Sequence, residues 1–166
     1  MIKKIAYVLL IALVVMQFIR PARNISKEES ANHIGKKYTV PANINSVLEK
    51  ACYDCHSNNT VYPWYANVQP VGFWLDDHVK EGKGELNFDE FMTYSPKKAR
   101  HKMVKVVEEV KEGGMPLDSY TWIHKNAILT PEEKSELTAW ADNIAKQIAT
   151  ENNLPPSEPK EPRKED

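Results

Sequence analysis

Cys52-Tyr53-Asp54-Cys55-His56 is the stretch on which the reading of this chain turns. It holds both cysteines of the sequence, and a histidine directly follows the second. Thiols at this spacing lie on successive parts of one helical turn. Each can add to one vinyl group of a haem and form a thioether. The next residue then lies under the macrocycle, where its imidazole binds iron from the proximal side. The spacing therefore predicts one covalent haem c, attached through Cys52 and Cys55, with His56 as an iron ligand. Other uses of a cysteine pair fit less well. A structural zinc site needs four ligands, and there is no second Cys pair. A thioredoxin-like redox pair expects a βαβ context, and no strand pattern surrounds this one. A disulfide across so short a spacing would be strained.

The rest of the composition sets limits around this motif. At 166 residues the chain has room for one domain with appendages. Its formal net charge is −1, so nothing argues for a nucleic-acid partner. The lysines and arginines between Lys97 and Lys111 are followed by Glu108, Glu109 and Glu112, and read as a solvated helix face. Part of the apolar content falls in the N-terminal segment and cannot serve a soluble core. A haem would supply much of the missing apolar volume, as cofactors do in small domains.

Residues 1–20 read as a targeting segment. Lys3 and Lys4 make a basic start, and an apolar run from Ile5 to Ile19 is broken only by Gln17. The run suits the core of a signal peptide or a short anchor. No small-residue cleavage site follows it, so the expectation is an uncleaved membrane anchor, with a soluble periplasmic protein if it is cleaved. Haem attachment of this kind is completed outside the bacterial cytoplasmic membrane, which places the domain on the extracytoplasmic, periplasmic face. Residues 21–40 are polar and without periodicity, and read as a tether with His33 as a solvated loop residue.

A haem-binding domain is expected over residues 41–150. Ile44, Val47, Leu48 and Ala51 recur at helical spacing and lead into Cys52, with Asn43 or Asn45 as cap. Tyr62, Trp64, Tyr65, Phe73 and Trp74 make an aromatic stretch suited to walling a haem pocket or filling the core. A short helix over residues 73–80 should stop at Gly82 and Gly84. Ser95-Pro96 starts a helix whose stripe is Ala99, Met103, Val106, Val107 and Val110, ended by Gly113-Gly114. Thr130-Pro131-Glu132-Glu133 forms a capping box. It opens a last helix with Leu137, Trp140, Ala141, Ile144 and Ile148 on one face. Residues 151–166 are charged and proline-rich and should be disordered. The fold class expected is all-α, a small helical domain of cytochrome c type around its haem.

With His56 on one side of the iron, a second axial ligand is sought among Met115, His78, His124 and His101. Met115 sits in Gly113-Gly114-Met115-Pro116, a loop that can present a thioether without deforming a helix. It is the chosen sixth ligand, with His78 as the alternative. Met103 belongs to an apolar stripe and reads as core.

The order of helix, Cys-x-x-Cys-His, loop, helix, methionine loop and final aromatic-bearing helix resembles class I c-type cytochromes. More closely, the chain resembles the bacterial haem-binding domain family. Residues 52–60 (CYDCHSNNT), 63–65 (PWY), 70–82 (PVGFWLDDHVKEG), 86–91 (LNFDEF) and 115–124 (MPLDSYTWIH) carry the likeness. It covers about residues 40 to 150 and implies haem binding through the pentapeptide. The family pattern also keeps a histidine at the place of His78, and Leu117 stands where a second proline is expected.

The leading functional expectation is an electron carrier with His56 and Met115 on the iron, handing electrons to redox partners of the respiratory chain or periplasm. A peroxidase-type enzyme or a haem-based sensor would need an open or labile sixth position. A bis-histidine cytochrome would use His56 and His78. Asp76 and Asp77 read as ordinary helix-start charge.

Overall fold

The computed structural model describes residues 1–155. Among these residues the chain is helical throughout, with one isolated antiparallel bridge, Ile25 to Asn59, and no named strand. The helices are α1 (Ile2–Met16), α2 (Ala42–Ala51), α3 (Tyr53–His56), α4 (Val71–Glu85), α5 (Pro96–Glu112), α6 (Asp118–Thr121) and α7 (Pro131–Glu151). The all-α expectation holds.

α5 and α7 make the most extensive helix pair and form the floor of the domain. Their sequence punctuation does what it should. The Ser95 side chain accepts from Lys98 N, and Pro96 takes the first turn of α5. Gly113 ends α5 in the left-handed region at φ 78°. Thr130 and Glu133 close the capping box of α7. The apolar faces meet as the periodicity requires. Ala99, Met103 and Val110 of α5 are buried with Leu137, Trp140, Ala141, Ile144 and Ile148 of α7. α2 adds Ile44, Val47 and Leu48 to the same core. Lys50 ties α2 to the start of α7 through Glu133 at 2.6 Å. Pro41, rather than Asn43 or Asn45, takes the N-cap place of α2. Asn43 bonds Glu136 and Asn45 bonds Glu49 instead.

Four expectations are revised. Residues 21–40 are not a free tether. Ile34 and Tyr38 are buried in the core, Thr39 O accepts the Trp140 indole N–H, and Asn24 Nδ2 bonds Ser57 O and Thr60 Oγ1. Two apolar side chains spaced for a short turn (residues 34–36 form one) escape a periodicity search, because the turn is too brief to repeat.

The expected spanning anchor finds no support in the helix that forms there. α1 has 15 residues, about 22 Å at 1.5 Å per residue, against roughly 30 Å of bilayer hydrocarbon. No helix among the described residues is long and apolar enough to cross a membrane. The C-terminal end of α1 is docked on the domain. Gln17 Nε2 donates to Gln69 O, and Gln69 N donates to Gln17 Oε1.

α4 runs straight through Gly82 and Gly84, which were expected to end it. At the other end of the chain, Glu151 closes α7 and Leu154 packs on the core, so the charged tail begins later than expected. From residue 156 on it lies outside the described residues.

Candidate haem site

The pentapeptide straddles a break between two helices. Cys52 leaves helical geometry at φ −129°, and Tyr53 to His56 form the single turn α3. Cys52 O accepts from both Cys55 N and His56 N, which holds the two cysteines and the histidine on one turn. The exit from that turn is bolted in place. Asp54 O accepts the Thr60 hydroxyl, and Asp54 Oδ1 accepts Val61 N at 2.8 Å. Asn58 N donates to Asp89 and Asn58 Nδ2 to Glu90. Asn87 Nδ2 donates to Asn58 Oδ1. The segment after α4 thus clasps the segment after the motif.

That clasp sets up the key contact. His56 Nδ1 lies 2.9 Å from Leu86 O. A carbonyl only accepts, so Nδ1 carries the proton and Nε2 keeps its lone pair, the tautomer of a metal-binding histidine. Burial pushes the His56 pKa down, opposed by its backbone bonds to Leu86 and Gly82, and so favours the neutral ring. The same burial pushes Cys52 up to about 12 and Cys55 up to about 11. Both thiols are free and neutral at physiological pH, unlike the low-pKa thiolate of a redox-active pair.

The thiols and His56 open on one cleft. It is open to solvent and is lined by Cys52, Cys55, His56, His78, Gly82 and Met115, among others. A neighbouring cleft is walled by Pro63, Tyr65, Val71, Trp74, Leu75 and Ile123. The two share Asp54, Cys55, His78, Leu117 and Tyr120 and so form one continuous groove along α4. Of the aromatic stretch, Tyr65 and Trp74 wall this groove, whereas Trp64 is exposed.

The groove has a polar seam. Tyr120 donates to Asp54 Oδ2 at 2.8 Å and stacks on His124 at 4.2 Å between ring centres. His124 Nε2 is hydrogen-bonded to the Tyr65 hydroxyl at 2.8 Å. Burial and the Asp54 carboxylate push the Tyr120 pKa upward, so its hydroxyl stays a donor.

The candidate ligands separate cleanly. Met115 and His78 line the cleft that holds His56. His78 Nδ1 bonds Trp74 O at 2.9 Å, which leaves its Nε2 unprotonated too. His124 is engaged by Tyr65 and lines only the neighbouring cleft. His101 is exposed on α5, and Met103 is fully buried core. His33 accepts from Gly35 N and lines neither cleft. Sequence reasoning assigned no site role to Leu86 or Tyr120 and read Gly82 only as a helix stop. A backbone carbonyl carries no side-chain signature, and the tyrosine needed its partner Asp54 to be known.

These residues fit a haem. Among the described residues no group of three or more His, Cys, Asp and Glu side chains gathers as a protein-only metal site. A lone oriented imidazole beside two thiols on an apolar groove suits a metal that arrives inside a macrocycle. Comparison with known proteins agrees on the cofactor. A family model described as a haem-binding domain matches residues 11–143. No curated protein and no solved structure matches the chain. The match starts inside α1 and runs through residues 21–40, in keeping with the packing of Ile34 and Tyr38 into the core. Spanning most of the sequence, it makes the chain a member of the haem-binding domain family.

Proposed function

We propose that this haem-binding protein is an electron carrier of c type. Cys52 and Cys55 would hold the haem by thioethers, and His56 and Met115 would ligate its iron. When bound, the haem supplies a reversible one-electron change at iron. The observation that carries the reading is the shared cleft of Cys52, Cys55, His56 and Met115, with His56 locked on Leu86 O.

The chain's own residues do the rest. Leu86 O would orient the His56 ring and keep its Nε2 lone pair available to the metal. Trp74, Leu75, Val71 and Ile123 line the groove with apolar surface that a bound haem would cover. A thioether at Met115 is a soft, uncharged donor that favours the reduced metal and closes the site to small substrates. His78 supports a second reading, a bis-histidine carrier, because it lines the same cleft with Nε2 free. Redox partners in the respiratory chain or periplasm would then complete its role.

Lys3, Lys4 and the apolar run support export, and covalent attachment implies an extracytoplasmic site. The docking of Gln17 on Gln69 and the family match from residue 11 support retention of the N-terminal segment. The test of the main reading is the haem-loaded full chain in acidified organic solvent, followed by its visible spectrum in both redox states. Haem that stays on the polypeptide with a six-coordinate low-spin spectrum is expected. Full extraction overturns thioether attachment, and a five-coordinate spectrum moves an enzyme or sensor to the front.

A further inference from the structure

α4 ends at Glu85, one residue before the carbonyl that holds His56. Glu85 also lines the cleft of Cys52, His56 and Met115. Its carboxylate meets Lys102 of α5 at 3.1 Å. The two partners sit in different surroundings: the Lys102 side chain is 13% exposed and that of Glu85 is 83% exposed. The Lys102 stem is packed on the protein while its head meets a solvated carboxylate, so the stem fixes where that charge sits. Among the described residues no lysine or arginine lines either part of the groove, whereas Asp54, Glu81 and Glu85 do. Lys102 is therefore the cation set against an otherwise acidic site. Glu85 shares the cleft with His56, and its ion pair brings the Lys102 ammonium to the edge of that cleft.

We propose that Lys102 and Glu85 form an electrostatic pair beside the cleft of His56 that tunes the reduction potential of the bound haem. The inference rests on the haem reading above. The physical reason is Coulombic. A cation near the iron disfavours its more positive, oxidised state, and an anion favours it. Together the two charges offset each other at the centre. Removal of either member leaves the other uncompensated beside the cleft. Lys102 and Glu85 are thus positioning residues, since neither is required to touch the iron.

The experiment is redox titration of the haem-loaded full chain, read by its visible spectrum, for wild type, Lys102→Gln, Glu85→Gln and the double variant. Lys102→Gln should lower the midpoint potential. Glu85→Gln should raise it, and the double variant should return close to wild type. A purely mechanical clamp on the end of α4 predicts shifts of the same sign in both single variants, and that result overturns the proposal. So does a potential indifferent to both substitutions. Glu85 is largely exposed, so Glu85→Gln reports even where Lys102→Gln does not fold, and an unchanged or lowered potential in that variant is enough to refute the pair. A wild-type chain that takes up no haem overturns the functional reading, and this inference with it.

Discussion

A Cβ placed on Gly82 would lie 2.7 Å from the carbonyl oxygen of Cys55 and 2.9 Å from the Cys55 Cβ. α4 therefore rests on the haem-motif turn with no room for a side chain between them. Gly84 lies in the same helix with nothing within 4 Å of the equivalent point.

These two glycines give a matched pair of expectations. Gly84→Ala should stabilise the protein by up to about 1 kcal/mol, because alanine favours a helix over glycine. Gly82→Ala gains the same propensity but drives α4 off α3. It should be net destabilising by about 1–3 kcal/mol, in the range of overpacked interiors. Thermal unfolding of both variants checks the signs, and haem stoichiometry should fall only in Gly82→Ala.

Met115 and His78 line the same cleft, and single substitutions decide which of them would ligate a bound iron. Met115→Ala should abolish the methionine–iron(III) charge-transfer band, turn the spectrum high-spin and admit carbon monoxide, with the haem still attached. His78→Ala should leave the spectrum nearly unchanged. The opposite pattern would establish bis-histidine ligation and a lower potential.

Ile34 is fully buried although it lies in a stretch whose composition reads as a linker. Ile34→Ala should cost about 2–5 kcal/mol, as large-to-small changes in cores do. A true tether would tolerate it. Chemical denaturation of the full chain measures the difference, with the exposed Lys27→Ala as a control expected within about 0.5 kcal/mol of wild type.

Glu133 links acid sensitivity to a named contact. Its pKa is lowered, first by its hydrogen bond with Lys50 and then by the Thr130 backbone N–H. A depressed carboxylate stabilises the fold fully above its unfolded value. That contribution is lost as pH falls through the lower folded value. Wild type should therefore lose stability over that acidic window, and Glu133→Gln should lose less there. At neutral pH the variant should be weaker by about 1 kcal/mol or less, since both side chains keep about a quarter of their exposure. Denaturant midpoints measured across the acid range read both effects.

Local chemistry was legible in the sequence. Cys52, Cys55 and His56 announce a haem because their spacing is a property of one helical turn. The stops and starts at Ser95-Pro96, Gly113 and Thr130 to Glu133 could be read because a cap is made by residues three or four apart. The apolar faces of α5 and α7 followed from their period for the same reason. Tertiary structure alone decided what the motif rests on. Leu86 O reaches His56 from thirty residues away, and a carbonyl is common to every residue. Gly82 looked like a helix stop because glycine is a weak helix former, but contact with Cys55 outweighs that preference. Residues 21–40 looked like a linker because their few apolar side chains do not repeat. Ile34 and Tyr38 are nonetheless core, because burial depends on what surrounds a side chain and not on the composition of its neighbours in sequence.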